Sequence, residues 1–559
     1  MKTFGEIQQS RDQLSWVITR CEPHVSIRLK QIFPGIPKGN VPPYKLPRNS
    51  NTDADLDWFM QRYPLDISAP DFKALRLGRN GYLAQQSEME RILLPTYSDA
   101  FTGRLREGQQ IRPYQMQAIE ILRRRGSLLL GDEGGLGKTY VSAGFLVSEP
   151  GSLPAAVVCD AHMQKQWKDK LEAFTHLRVH VIRKGRACKI PAADVYVFRI
   201  TQVAGWSEIF ATGMFKAVIY DEPQSLRTGT STAKGAACKV LSAHTKFRLG
   251  LTATPIFNYG DEMWNVMQFI DRTVLGDRDD FEREWCTSLG NGKYRIKDPK
   301  ALGTFLREQY VMLRRLKADV GHQLPKVSTI VEHIDYDTAA VASVEETARM
   351  LAIKATQGSF IERGNAARDL DVMMRQVTGV AKAKSVATFT RLIVEAGEPV
   401  VLFGWHREVY SIWQEELKDL KPAMYTGSES ASQKEAAKQR FLTGETDILI
   451  MSLRSGAGVD DLQHRCSTEV FGELDWSPGI HRQCVWRVDR EGQKNPVTIF
   501  FLVTDDGSDP PMMDILGIKA SEAHSIMDPN LGASTTESDR SNLQKLVQRY
   551  LDKKQSVTV

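Results

Sequence analysis

The sequence predicts an α/β protein with two lobes, each a parallel sheet flanked by helices, a helical insert between them and a small α+β N-terminal module. Two observations carry this prediction. From about residue 110, short apolar runs alternate with helical stretches, and after a mostly helical, charged interval at 273–335 the alternation begins again. Strands buried on both faces form continuous apolar runs, and helices usually connect them. A chain of 559 residues is also too long for one core.

The pattern divides the chain into five parts. They are the N-terminal module (1–105), the first lobe (106–272), the helical insert (273–385), the second lobe (386–528) and the tail (529–559). The first lobe has strand candidates at 128–130, 156–159, 179–182, 195–198, 217–220 and 247–251. The second lobe has them at 400–403, 423–425, 448–451, 469–471 and 497–502.

The N-terminal module has its own pattern. Alternating apolar and polar residues at 25–30 predict a half-exposed strand, and the prolines at 34–47 oppose regular structure. A short helix is expected at 53–63, with three aromatic residues on its apolar side: Trp58, Phe59 and Tyr63. A final amphipathic helix is expected at 541–551 in the tail.

The composition is that of an ordinary globular protein, with 42% apolar and 25% charged residues. A net charge of +5, from 73 basic and 68 acidic residues, permits a nucleic-acid partner without arguing for one. Seven cysteines without a C-x-x-C pair suggest neither a zinc site nor a disulfide framework. No signal peptide or transmembrane run is visible, so we expect a cytoplasmic protein without a membrane partner.

A glycine-rich loop at 127–139 stands between an apolar run and a helical stretch. This order is that of a phosphate-binding loop, where backbone N–H groups surround a polyphosphate at a helix N-terminus. Lys138 is the candidate for the outer phosphates, and the Thr139 hydroxyl is the candidate Mg²⁺ ligand. The strict pattern requires glycine where this chain has Asp132, so on these residues alone an ordinary turn stays open.

Two further pairs complete a possible nucleotide site. Asp221 and Glu222 end an apolar run, where an Asp can hold Mg²⁺ and a Glu can orient the attacking water. The pair is also a common loop start, and the glycine-rich loop in the same lobe favours catalysis. Arg487 and Arg490, three residues apart, are either surface arginines or, given an ATP site, arginine fingers from the second lobe.

These motifs and their order resemble the Swi/Snf-type ATPases of helicase superfamily 2, and among them the HARP-like annealing-helicase branch. In that family Asp also occupies the first position of the phosphate loop, which accounts for Asp132. The resemblance extends from residue 111 to about 506. It rests on Ile-Arg-Pro-Tyr-Gln (111–115), Asp-Glu-Gly-Gly-Leu-Gly-Lys-Thr (132–139), Val-Val-Cys with Gln-Trp (157–159 and 166–167), Asp-Glu-Pro-Gln (221–224), Gly-Leu-Thr-Ala-Thr-Pro (250–255), Val-Met-Leu-Arg-Arg-Leu-Lys-Ala-Asp-Val (311–320), Glu-Leu-Asp-Trp-Ser-Pro (473–478) and the stretch at 483–493.

The resemblance implies two RecA-like lobes with ATP and Mg²⁺ between them. The residues implied to bind the nucleotide are Arg112, Gln115, Asp132, Glu133, Gly134, Gly135, Leu136, Gly137, Lys138 and Thr139. Catalysis is implied for Lys138, Asp221, Glu222, Arg487 and Arg490, with Thr139 and Asp221 as metal ligands. Coupling of the ATP cleft to DNA, or contact with DNA, is implied for Gln166, Trp167, Thr252, Thr254 and Gln493.

The chain departs from the family pattern at several positions. Gln224 replaces the usual His of the acidic box, which puts its coupling to neighbouring motifs in doubt. Other residues replace the usual ones around the two arginines, and the motif at 452–461 is only loosely matched. The replacements around the arginines are Trp486, Asp489 and Glu491.

The activity implied is a DNA-stimulated ATPase that translocates on duplex, forked or branched DNA in replication, recombination or repair. Such movement needs mainly backbone contacts. Two alternatives stay open: a helicase that separates strands of DNA or RNA, and a nucleotide-gated binding protein with little turnover. The compact chain leads us to expect a bacterial cell or a phage-infected host. The N-terminal module either recognises DNA structure or only packs.

Overall fold

The computed structural model describes residues 2–514 and 516, except 34–35, 37–38, 254–259, 291–292, 321–324, 326, 358, 455–458, 491 and 515. The chain divides into two compact units, Met1–Ala100 and Phe101–Val559. Within the described ranges, no helix combines the length and the apolar character needed to span a membrane. The helix expected at 541–551 lies outside the described residues.

The N-terminal unit is a four-stranded sheet whose buried side chains share one core with three helices. The strands lie in the order β3-β2-β1-β4, and β1 is antiparallel to β2 and parallel to β4. The elements are β1 (Gly5–Gln9), β2 (Ser15–Cys21), α1 (Pro23–Ile32), β3 (Tyr44–Pro47), α2 (Ser50–Arg62), β4 (Asp66–Ile67) and α3 (Ala69–Leu93).

The strand expected at 25–30 is wrong, because these residues belong to the helix α1. Val25 and Leu29 are fully buried while Ile27 is 60% exposed. Residues four apart lie on one face of a helix, so apolar side chains at these two positions fit a helix as well as a strand. Pro23 at the start of α1 is preorganised for a helical N-terminus and decides between the two.

The helix expected at 53–63 is confirmed as α2, which Asn49 caps by accepting from the Thr52 N–H. Phe59 is buried, but Trp58 is 63% exposed and does not belong to the apolar side. The proline-rich stretch does contain a strand, β3. This strand lies at the edge of the sheet, where proline does not interrupt the ladder of hydrogen bonds.

The first lobe is a seven-stranded sheet in the order β13-β5-β10-β9-β6-β8-β7, with every neighbouring pair parallel. All six strand candidates are confirmed. The elements are α4 (Pro113–Arg125), β5 (Ser127–Leu130), α5 (Lys138–Ser148), β6 (Ala155–Cys159), α6 (Gln164–Phe174), β7 (Val179–Val181), β8 (Val195–Arg199), α7 (Ser207–Ala211), β9 (Ala217–Asp221), α8 (Ala233–Ala243), β10 (Phe247–Leu251) and α9 (Gly260–Ile270).

The interval at 273–335 is not mostly helical as expected, since it contains four strands. One forms a hairpin with its neighbour, one joins the edge of the first sheet beside β5, and one joins the second sheet. The elements are α10 (Arg278–Trp285), β11 (Cys286–Gly290), β12 (Lys293–Ile296), α11 (Pro299–Glu308), β13 (Met312–Leu313) and β14 (Val327–His333). The chain between the lobes is therefore part of both sheets.

The second lobe is a six-stranded parallel sheet in the order β14-β19-β18-β15-β17-β16. Alternate residues of its central strand enter two different cores, so both faces are covered. All five strand candidates are confirmed. The elements after β14 are α12 (Thr338–Ser343), α13 (Glu345–Thr356), α14 (Phe360–Glu395), β15 (Val400–Gly404), α15 (Arg407–Glu416), β16 (Ala423–Tyr425), α16 (Ala431–Leu442), β17 (Ile448–Ser452), β18 (Thr468–Phe471), α17 (Pro478–Val485) and β19 (Val497–Val503).

Candidate active site at the lobe interface

The glycine-rich loop and the acidic pair lie at the same edge of the first sheet. The strands β5 and β9 flank β10, and their carboxyl ends carry the loop and Asp221 respectively. Gly135 and Gly137 have φ values of 90° and 74°, which side chains rarely allow, and Gly137 caps α5. The loop therefore leads directly into a helix N-terminus, as phosphate binding requires.

Lys138 turns back over this loop. Its ammonium donates to the carbonyl oxygens of Asp132 and Glu133, at 2.5 and 3.3 Å. Burial lowers the pKa of Lys138, and the nearby carboxylates of Glu222 and Asp132 oppose that shift. An amine in this position is a suitable partner for the outer phosphates of a nucleotide.

Asp221 is the best candidate for a metal ligand. Burial, together with the neighbouring Glu222, raises its pKa to about 7, and a hydrogen bond from the Trp167 indole opposes that rise. A half-buried carboxylate at the end of a strand is a suitable ligand for a divalent cation. Among the described residues no three His, Cys, Asp or Glu side chains cluster as a metal cage. Mg²⁺ commonly takes one or two protein oxygens plus phosphate and water, so one carboxylate such as that of Asp221 fits it without a cage of protein ligands.

Glu222 adopts an unusual backbone conformation, with φ at 52°. Its carboxylate accepts a hydrogen bond from the side-chain amide of Gln224, which is buried. Strained backbone is costly and tends to persist where function requires it. Gln224, which departs from the family pattern, therefore contacts the carboxylate that is predicted to orient the attacking water.

The stretch at 111–115, which supplies two of the residues implied to bind the nucleotide, contacts the glycine-rich loop from the start of α4. The Gln115 amide donates to the Leu136 carbonyl at 3.3 Å, and its Oε1 atom accepts from the Arg112 N–H at 3.0 Å. The Tyr114 hydroxyl donates to the same Leu136 carbonyl at 3.2 Å. These contacts fix the start of α4 against the loop.

Asp132 does not direct its carboxylate towards the cleft. The side chain is fully buried, and its Oδ1 atom accepts from both Nε and the backbone N–H of Arg315, each at 3.0 Å. A second ion-pair contact joins Oδ2 to the same guanidinium. The prediction that Asp132 binds the nucleotide is therefore restricted to its main chain. Arg315 belongs to the family stretch at 311–320, but no local pattern of residues identifies it as the partner of Asp132.

Two residues of the second lobe pack on the glycine-rich loop. A Cβ atom placed on Gly135 would lie 3.2 Å from the Cα of Arg490, and one on Gly134 would clash with the Trp486 ring. Burial, and after it Arg490, lower the pKa of Arg487, while Asp460 and, more weakly, Glu222 of the first lobe oppose that shift. The structure therefore brings Arg490 to the glycine-rich loop.

Asp460, from the loosely matched motif, joins the two lobes. It forms an ion pair with Arg490 of its own lobe, accepts from the Gln166 amide, and pairs with Lys170 of α6 at 2.5 Å. Burial favours a higher pKa for Asp460, but Arg490 and Lys170 outweigh it and hold the pKa well below the usual range. No local sequence motif identifies Asp460 or Lys170 as an interface residue.

The remaining predicted coupling residues have different settings. Trp167 is 2% exposed and bonded to Asp221, and Thr252 is fully buried at the end of β10. The buried Gln493 amide donates to the carbonyls of Cys466 and Val488, so it supports the arginine-bearing turn. Thr254 lies outside the described residues.

The fold and this site define a two-lobed P-loop protein. The chain belongs to the SNF2-related family, because the model of the SNF2-related domain matches residues 54–379, more than half of its length.

Individual relatives are distant in sequence. The "SWI/SNF-related matrix-associated actin-dependent regulator of chromatin subfamily A-like protein 1 homolog" of Caenorhabditis elegans is 24% identical over 440 residues, 73% of this chain and 62% of the relative. The "DNA annealing helicase and endonuclease ZRANB3" of Mus musculus is 25% identical over 437 residues, covering 74% and 40% of the two chains. The chain thus spans about two fifths to three fifths of these relatives.

A solved structure described as "Sulfolobus solfataricus SWI2/SNF2 ATPase core in complex with dsDNA" aligns with 76% of this chain and 96% of that chain. It has a TM-score of 0.37 at 20% identity.

Proposed function

We propose that this protein is a DNA-stimulated ATPase that moves along duplex or branched DNA. The observation that carries the proposal is the meeting of the glycine-rich loop of one lobe with Arg490 of the other. Such a site links nucleotide chemistry to the relative position of two lobes, which is what stepwise movement along a polymer requires. The annealing-helicase and SWI/SNF-related names of its relatives support DNA as that polymer.

Each group then has a chemical task. Lys138 binds the outer phosphates, and Asp221 with Thr139 holds Mg²⁺, which supplies charge neutralisation for phosphoryl transfer. Glu222, positioned by Gln224, orients the attacking water. Arg487 and Arg490 stabilise the charge on the transferring group, a role worth about 10³–10⁵ in rate in other phosphoryl-transfer enzymes.

The test is ATP hydrolysis by the wild type and by Lys138→Ala, with and without duplex DNA. We expect DNA to stimulate the wild type and Lys138→Ala to lose activity. The matched control is Lys384→Ala, which removes a lysine whose side chain is 79% exposed, and should retain full activity. Wild-type hydrolysis that ignores DNA, or an active Lys138→Ala protein, contradicts the proposal.

Two DNA substrates distinguish translocation along DNA from separation of its strands. A translocase displaces a bound third strand from duplex DNA while leaving a plain labelled fork intact, whereas a strand-separating helicase opens the fork. Nucleotide-dependent DNA binding without phosphate release identifies a binding protein with little turnover.

A deletion tests the role of the N-terminal unit. Met1–Ala100 has its own hydrophobic core, so this unit can be removed as a whole. If it recognises DNA structure, deletion of residues 1–100 weakens binding to forked DNA more than binding to linear duplex. An equal effect on both substrates assigns it a packing role.

A further inference from the structure

Lys317 extends from the first lobe to the second along the glycine-rich loop. Its backbone N–H donates to Glu133 Oε2 at 2.9 Å, and the Glu133 N–H donates to the carbonyl of Arg315 at 3.0 Å. Two hydrogen bonds therefore fix the main chain just after β13 to the loop predicted to bind phosphate. Any displacement of that loop moves Lys317 with it.

The side chain of Lys317 ends in the second lobe. Its ammonium pairs with Asp489 Oδ2 at 2.9 Å and donates to the carbonyl oxygen of the same residue at 2.5 Å. The two side chains are only 9% and 11% exposed. A Cβ placed on Gly135 would lie 3.4 Å from Lys317 Cε and 3.2 Å from the Cα of Arg490, so all three groups meet at one point.

We propose that Lys317 and Asp489 are an inter-lobe positioning pair that sets Arg490 against the glycine-rich loop. The inference rests on the proposed ATPase function and names a determinant of its catalytic geometry. Asp489 directly precedes Arg490, so holding both its carboxylate and its carbonyl fixes the backbone from which the arginine extends.

The physical basis is the burial of both charges. A well-made buried ion pair need not stabilise a protein, but removing one partner leaves an unpaired charge away from water. The interface then opens or shifts to solvate that charge, and displacement by about 1 Å can cost about 100-fold in rate. Ground-state ATP binding relies on Lys138 and the loop, so the loss should fall on kcat.

The test is a double-mutant cycle on the full chain, using Lys317→Met, Asp489→Asn and the double variant. DNA-stimulated hydrolysis yields kcat and the KM for ATP, and melting temperatures check folding. We expect each single variant to lose about tenfold or more in kcat with KM changed less than about threefold. The double variant should be no slower than the slower single variant. Lys418→Met removes a lysine from an exposed pair with Glu415 and is the matched control.

A charge exchange supplies the rescue. Lys317→Glu combined with Asp489→Lys restores opposite charges, and we expect it to recover at least about tenfold over the slower of its single variants. If Lys317→Met or Asp489→Asn does not fold, Lys317→Arg and Asp489→Glu take their place in the cycle. We expect a smaller loss in kcat from these conservative variants.

Three outcomes would overturn the proposed role of the pair. In the first, the losses in kcat of the single variants multiply in the double variant; in the second, the charge exchange does not restore activity. In the third, only KM and the melting temperature change. If the wild type is an active, DNA-stimulated ATPase and the losses of the variants multiply, only the proposed role of the pair is overturned. If the wild type is inactive, the proposed function is overturned as well.

Discussion

The indole N–H of Trp167 donates a 2.7 Å hydrogen bond to Oδ2 of Asp221, the candidate metal ligand. Trp167 belongs to α6 and is almost fully buried, so the bond joins this helix to the carboxyl end of β9. The bond opposes the rise in the Asp221 pKa that burial causes. The pattern suggested coupling or DNA contact for this tryptophan, and its setting favours coupling.

Trp167→Phe should weaken Mg²⁺ binding, because it removes the donor that stabilises the ionised form of Asp221. Loss of such an outer hydrogen bond typically costs about 10–100-fold in metal affinity. We expect the Mg²⁺ concentration at half-maximal hydrolysis to rise by about that factor. Trp206→Phe, which removes a 3.0 Å bond from a buried indole to the Lys184 carbonyl in the same lobe, is the control. Equal shifts in both variants contradict the assignment.

Gln224→Ala should lower kcat while leaving the KM for ATP nearly unchanged. The substitution removes the amide that orients the carboxylate of Glu222. Loss of a correctly positioned carboxylate of this kind lowers the rate by about 10²–10⁴-fold. We expect a loss near the lower limit, measured by steady-state hydrolysis. Gln202→Ala removes another buried amide of the first lobe, bonded to the Ile182 carbonyl at 3.0 Å. The prediction fails if the two variants behave alike.

Arg315→Met should destabilise the protein, because it leaves the fully buried carboxylate of Asp132 without its partner. Breaking a buried pair in this way costs about 3–5 kcal/mol. The free energy of unfolding from urea titration is the measurement. Arg178→Met breaks an exposed pair with Asp194 and should cost less than about 1 kcal/mol. A similar cost for both would show that burial of Asp132 is unimportant.

His481 should make the protein less stable in mild acid. Burial lowers its pKa to about 4, and its ring accepts from the Asp475 N–H at 3.3 Å, as a neutral imidazole can. The unfolded chain, with a histidine pKa near 6.5, binds the proton more readily between these values. Stability is therefore complete above pH 6.5 and falls towards pH 4, by up to about 3 kcal/mol.

The measurement is the free energy of unfolding as a function of pH. His481→Gln should flatten the dependence between pH 6.5 and 4, and His244→Gln, at an exposed histidine, should leave it unchanged. An unchanged slope in the His481 variant would mean that other groups cause the acid sensitivity.

The positions of the strands could be read from the sequence because parallel strands covered on both faces must be apolar throughout. Residues 155–159 and 448–451 show this, since every side chain there is apolar and buried. Where one face is exposed the pattern is ambiguous, and α1 was mistaken for a strand. Its buried Val25 and Leu29 satisfy both periodicities.

By itself the sequence determined the two-lobe α/β fold and the groups that the proposed chemistry uses, because each lies within a short local motif. Only the tertiary structure decided which side chains complete the site. Arg315 with Asp132 and Lys317 with Asp489 join residues 183 and 172 positions apart, and Gln166 meets Asp460 across 294. Such contacts leave no local pattern. The Arg315–Asp132 contact follows from the pairing of β13 with β5 inside the first lobe, and the other two follow from the packing of the two lobes. In each case the fold brings distant polar groups together where water is excluded, so that each depends on its partner.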